Sequence, residues 1–249
     1  MQIAEHIQIV DNEGQLLAAA AEEAGVDAKV STCLGWQVRD LLRHQGAVHR
    51  WATSYVAQGQ LKPHGIDEHD TELDGADLLA WFREGHRQLV DALTNARPDV
   101  DCWAFLPAPS PLAFWARRQA HETTVHRVDA QSALNRATHD EPLPITPEFA
   151  VDGIDELLTG FHARGRSRVR SDAPRTLRVR ATDAGADAVW TVRITQDPPA
   201  AERGVSGEAE CELAGPAARL YLALWNRLPF PDVSGDSALA ALWREHSGV

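Results

Sequence analysis

The sequence predicts an α+β protein, a four-helix bundle followed by a small α/β domain, and three observations carry that prediction. The first half holds four segments whose apolar residues recur at helical spacing, separated by Gly- and Pro-containing loops. A stiff proline-rich run, Pro142-Leu143-Pro144-Ile145-Thr146-Pro147, then interrupts the chain. Beyond it, two segments alternate apolar and polar residues every second position, the pattern of half-buried strands. The domains are therefore expected at 1–141 and 142–249.

The first helix is expected from about Asp11 to Ala24, an acidic, alanine-rich stretch that stops near Gly25. The second runs from around Trp36 to Gln58, with Val38, Leu41, Leu42, Val48 and Ala52 on one stripe. Gly59 and Pro63 open a polar loop. The third covers Asp74 to Ala96 and must stop before Pro98, which disfavours helical backbone at its predecessor. The Pro107-Ala108-Pro109-Ser110-Pro111 punctuation introduces the fourth, from Leu112 to Leu134. Four helices of similar length joined by loops make a bundle.

In the second domain a helix is expected over Pro147 to Ala163. Strands follow at Thr176–Arg180, Ala188–Ile194 and Gly207–Leu213. Gly215-Pro216 starts a helix that runs through Leu224 and Trp225, and a last helix covers Ala238 to His246. Arg164, Arg166, Arg168, Arg170, Arg175, Arg178 and Arg180 form a basic cluster in an otherwise acidic protein. The favoured reading is a solvated loop leading into a strand with an arginine face; an anion site is the alternative.

The 249 residues suffice for two ordinary cores. A formal charge of −12 excludes the basic surface that nucleic-acid binding demands and disfavours anionic membrane. No stretch reaches the roughly 20 apolar residues of a membrane span. The start, Met1-Gln2-Ile3-Ala4-Glu5-His6, lacks the basic and apolar parts of a signal peptide. Cys33, Cys102 and Cys211 are sparse and odd in number, which fits a reducing compartment. A cytoplasmic protein is expected.

The chemistry concentrates in Arg117-Arg118-Gln119-Ala120-His121-Glu122-Thr123-Thr124-Val125-His126-Arg127-Val128-Asp129-Ala130. His121-Glu122 resembles the start of an H-E-x-x-H zinc motif, but position 125 is Val. His121 and His126 are five residues apart, about 140° around a helix, and cannot share an ion from one face. Glu122 and His126 can, because an i, i+4 spacing stacks them one turn apart. Arg118 and Asp129 continue this stripe, together with Trp115 and Ala133, so it is expected to face the bundle core. Charged groups there need partners or a metal. A buried ion-pair network satisfies the same pattern. A third ligand must come from a facing helix, and the second helix offers His44 and His49 on opposite sides of its apolar stripe. Spacing alone leaves that choice open.

Several segments decide it by resemblance. Leu34-Gly35-Trp36-Gln37-Val38-Arg39-Asp40-Leu41-Leu42-Arg43-His44 and Phe114-Trp115-Ala116 running into the segment above are similar to signatures of the mycothiol-dependent maleylpyruvate isomerase-like family. Asp152-Gly153-Ile154-Asp155-Glu156, Gly215-Pro216 through Asn226-Arg227 and Val233-Ser234-Gly235-Asp236 resemble parts of its C-terminal domain. The resemblance implies a DinB-like bundle plus the family's α/β domain. It implies zinc, or a similar divalent ion, on His44, Glu122 and His126, with Asp129 as a nearby active-site acid and Arg227 as a substrate-anchoring cation. Family members usually carry glycine before that arginine, where this chain has Asn226.

Two histidines and a glutamate leave a position open on zinc, as catalytic sites do. A thiol entering that position loses its proton. The three cysteines lie outside the ligand motifs, so the thiol is expected to be external, and the resemblance names mycothiol. The expected activity is thiol-dependent cis–trans isomerisation of a maleylpyruvate-type acid. A mycothiol S-transferase acting on another electrophile and a non-catalytic metal-dependent ligand-binding module are the alternatives. The expected partners are thus a small-molecule electrophile and a low-molecular-weight thiol.

Overall fold

A computed structural model of the protein describes residues 1–67, 71–134 and 144–248. The chain forms two compact units, Met1–Glu141 and Pro142–Val249. The expected 141/142 boundary and the first two residues of the proline run, Pro142 and Leu143, lie outside the described residues. Among those residues, no helix is long and apolar enough to cross a membrane.

The first unit consists of helices α1 (Ile3–Ala24), α2 (Val38–Gln58), α3 (Gly75–Asn95) and α4 (Pro111–Ser132). Helix α1 begins eight residues earlier than expected. The Glu5 carboxylate accepts the Gln2 backbone N–H at 2.6 Å, a cap that helical periodicity alone does not reveal. Helix α2 begins at Val38, with Asp40 capping the Gln37 N–H at 2.8 Å, so Trp36 lies in the preceding loop. It ends at Gly59, whose φ of 61° is left-handed backbone open to glycine at little cost. Ser110 caps α4 by accepting the Ala113 N–H at 3.1 Å, and Pro111 supplies its first turn.

Helix α1 packs on α4, and α2 on α3. Leu17, Leu41, Leu42, Leu78 and Phe82 are fully buried where they meet. Gly46 lets Trp81 of α3 lie directly on α2, where a Cβ would sit 2.1 Å from the indole. Helix α4 is buried on most sides, so several of its polar groups find partners inside. Arg127 donates to Glu13 of α1 at 2.6 Å, a buried ion pair that fixes α4 against α1.

The second unit opens with α5 (Pro147–Asp155), which continues as a π-helical segment over Glu156–Phe161 rather than as α-helix to Ala163. Five strands follow as one sheet in the order β3-β2-β1-β4-β5. They are β1 (Arg175–Ala181), β2 (Val189–Ile194), β3 (Ala200–Arg203), β4 (Cys211–Gly215) and β5 (Asp232–Gly235). Strands β1 and β4 run parallel and the other pairs antiparallel. Strand β4 starts at Cys211, not Gly207, because Gly204 and Gly207 take positive φ and turn the chain first. Strands β3 and β5 were not expected. Both are four-residue edge strands with largely exposed residues, too short and polar for an alternation signal. Helices α6 (Ala217–Leu224) and α7 (Ser237–His246) complete the unit.

The basic cluster is divided among different roles. Arg180 makes a two-pronged pair with Glu212 at 2.8 and 2.9 Å, and Arg175 pairs with Glu210 and Asp236. Arg168 and Arg170 donate to backbone carbonyls. This is the strand-face and loop arrangement favoured from the sequence.

Candidate metal centre

Helix α4 presents Glu122 and His126 one turn apart, and α2 brings His44 opposite them. Glu122 Oε1 lies 3.3 Å from His126 Nε2 and 3.7 Å from His44 Nε2. One ligand-type atom from each residue falls within 4.8 Å of the others, close enough to surround a single cation. Two imidazoles and a carboxylate suit a borderline-soft divalent ion such as zinc.

The surroundings orient these donors. His126 Nδ1 donates to Asp129 Oδ2 at 2.9 Å, which leaves Nε2 as the ring's outward-facing nitrogen. Asp129 is fully buried, and its other oxygen accepts from Thr32 Oγ1 at 2.6 Å. Arg118 Nη2 donates to Glu122 Oε2 at 3.2 Å. The Trp36 ring lies parallel to His126 at 6.3 Å and tilts over His44 at 5.2 Å, so the loop before α2 walls the centre. Along the same face, Trp51 and Trp115 meet edge-on at 5.0 Å and Tyr55 stacks on Trp115.

Electrostatics follow from this packing. Burial alone raises the Glu122 carboxyl, but His126, His44 and Arg118 outweigh it and hold it well below the usual range. Burial lowers the His126 imidazole, yet Asp129 and Glu122 together raise it to about 9. A cation held at Nε2 would compete with the proton that these carboxylates favour there.

The structure brings His44, Glu122, His126 and Asp129 together. The stripe on α4 faces inward as expected, with Arg118 and Asp129 nearly inaccessible and Glu122 half-buried. His49 turns elsewhere, into a buried network in which its Nε2 meets Gln45 at 2.8 Å and Thr123 at 3.1 Å. Burial, with the nearby His86, pushes its pKa well down and keeps it neutral. His121 is also buried, edge-on to His6 at 6.2 Å. Thr32 escaped the sequence reading. A loop threonine 97 residues from its partner carries no periodic signal.

The sequence matches the model of the mycothiol maleylpyruvate isomerase N-terminal domain over residues 8–131 and that of the MDMPI C-terminal domain over residues 148–242. The chain belongs to the mycothiol maleylpyruvate isomerase family. It is a member of a family of enzymes. A crystal structure of the mycothiol-dependent maleylpyruvate isomerase is similar in fold, with a TM-score of 0.62 and 14% identity over 94% of this chain and 93% of that one. A histidine-to-alanine mutant of that isomerase gives a TM-score of 0.59 at 13% identity, over 91% and 90% of the two chains. No curated protein matches the sequence.

The second of these family domains carries Arg227, just past α6. Its Nη1 donates to the Trp225 carbonyl at 2.9 Å, and its backbone N–H to the Leu222 carbonyl at 2.8 Å. Asn226, where the resemblance implies glycine, has a φ of 63°. Left-handed backbone explains the glycine, and asparagine is among the side chains that tolerate it. Asn226 Nδ2 further bonds Ser247 Oγ at 3.2 Å. The departure therefore keeps the turn that presents Arg227.

Proposed function

We propose that this protein is a zinc- and mycothiol-dependent cis–trans isomerase of a maleylpyruvate-type acid, acting in the cytoplasm. The observation that carries the reading is the convergence of His44, Glu122 and His126 onto one cation-sized space, in a chain of this family. Zinc held there lowers the pKa of an incoming thiol and so supplies a thiolate nucleophile at neutral pH.

The chain's own residues do the rest. His44, Glu122 and His126 would hold the cation through two imidazoles and one carboxylate. Asp129 fixes the His126 ring through Nδ1 and lies close enough to take or return a proton at that atom. Trp36 shields one side of the centre. The thiolate adds to the cis double bond, forming a C–S bond and leaving a single bond that rotates. Elimination breaks the C–S bond, restores the double bond as trans and returns the thiol unchanged. Arg227 is assigned the substrate carboxylate, because a guanidinium fork matches its two oxygens.

A transferase would use the same thiolate and keep it bonded to the electrophile. Turnover of maleylpyruvate with mycothiol, and with a panel of other electrophiles, separates the two by product. Isomerised acid with no consumption of thiol supports the proposal. Stoichiometric thiol loss into a conjugate supports a transferase, and no thiol-dependent turnover of either kind overturns both.

A further inference from the structure

The two oxygens of Glu122 face different partners. Oε1 points toward the two imidazoles, at 3.3 and 3.7 Å, while Oε2 accepts from Arg118 Nη2 at 3.2 Å. Arg118 lies one turn before Glu122 on α4, and its side chain is only 3% exposed. A guanidinium is rarely placed that deep without a task, since removing it from water is expensive.

A glutamate can offer a metal one oxygen or both. If both bind, the second oxygen takes the position a thiol needs. We infer that Arg118 is a positioning residue: it reserves Glu122 Oε2, restricts Glu122 to ligation through Oε1, and so keeps one coordination position open to the thiol. Charge points the same way. A dication, the Glu122 and Asp129 carboxylates and the Arg118 guanidinium leave one net positive charge, which a single thiolate cancels. Without Arg118 the site is neutral before the thiol arrives and holds a thiolate less firmly. Removing Arg118 also takes the guanidinium from Oε2 in a half-buried place, where a cation would be a favourable replacement.

This inference rests on the metal-site reading, and cobalt(II) separates the two. Cobalt is titrated into metal-free wild type and into Arg118→Met, and visible absorption is read before and after adding 2-mercaptoethanol. Wild type is expected to give the intense bands of four-coordinate cobalt and to bind the thiol. Arg118→Met is expected to retain one cobalt per chain, show the weaker bands of higher coordination, and need at least tenfold more thiol for half-saturation. The apparent pKa of the bound thiol should rise in the variant. Arg118→Lys, with one cation but no fork, should recover part of the effect. Identical spectra and thiol affinity in wild type and Arg118→Met overturn the inference while leaving the metal site standing. Failure of wild type to bind cobalt overturns both. Should Arg118→Met not fold, a crystal structure of zinc-loaded wild type decides. One Glu122 oxygen at about 2.0–2.2 Å from zinc, with the other on Arg118, supports the inference. Both oxygens on zinc overturn it.

Discussion

Asp129 and His126 share a 2.9 Å hydrogen bond in which a fully buried carboxylate takes the imidazole Nδ1–H, and Thr32 holds the other carboxylate oxygen at 2.6 Å. One ring is thereby fixed from behind by a chain of partners that reaches into the loop before α2. Orienting partners of this kind typically contribute a factor of about 10 to 100 in metal affinity. Asp129→Asn should weaken zinc binding by that order with the fold intact. A competition titration against a chelator checks it, and unchanged affinity removes Asp129 from the site.

Arg227 is the second prediction. Arg227→Ala should keep its metal but lose at least about tenfold in kcat/KM, equivalent to about 1.4 kcal/mol. Arg227→Lys should regain only part, since one ammonium cannot reproduce two parallel hydrogen bonds. The alternative is a helix-end cation beside α6, worth under about 1 kcal/mol and irrelevant to turnover. Unchanged kinetics in a folded Arg227→Ala protein leave only that role.

The attacking thiol should be external. Burial raises the thiol pKa of Cys102 and Cys211, which makes both poor nucleophiles, while the half-buried Cys33 lies outside the ligand motifs and is the cysteine the test must remove. A Cys33→Ser, Cys102→Ala, Cys211→Ala protein should keep its thiol-dependent turnover within a few-fold. A folded but inactive triple variant contradicts the assignment.

The second unit should lose stability in mild acid. His162 is buried against Trp243 at 4.7 Å, with Ser167 Oγ at 3.0 Å from its Nδ1. Burial lowers its pKa from 6.5 to about 4. The fold therefore prefers the neutral ring, and the unfolded chain takes up the proton first. This stabilisation is complete above about pH 6.5 and is lost as pH falls toward 4. Urea unfolding at pH 7 and pH 5 should show wild type losing roughly 2 kcal/mol more than His162→Leu. Equal losses in the two proteins contradict the effect.

Much of this was legible in the sequence, for identifiable reasons. Helices α1 to α3 carry apolar stripes at 3.6-residue spacing, whereas α4 is buried on most sides and shows its charged residues among apolar ones. Glu122, His126 and Asp129 therefore stand out in the sequence. His44 and His49 are both plausible on a helical wheel, and only family resemblance chose between them. Short-range chemistry hid the rest. The Glu5 cap moved the start of α1, the edge strands β3 and β5 are too short to alternate, and the Thr32 contact to Asp129 joins residues far apart in the chain. Arg118 is visible on the stripe, but its task depends on which Glu122 oxygen it holds, which spacing does not specify.

One divalent ion is expected between α2 and α4, held by His44, Glu122 and His126. Elemental analysis of purified protein tests it most directly, with wild type compared to His44→Ala, Glu122→Gln, His126→Ala and the loop control His64→Ala. Wild type and His64→Ala should carry close to one zinc or similar ion per chain, and the three ligand variants nearly none. Equal metal content in wild type and in folded His126→Ala protein would contradict it.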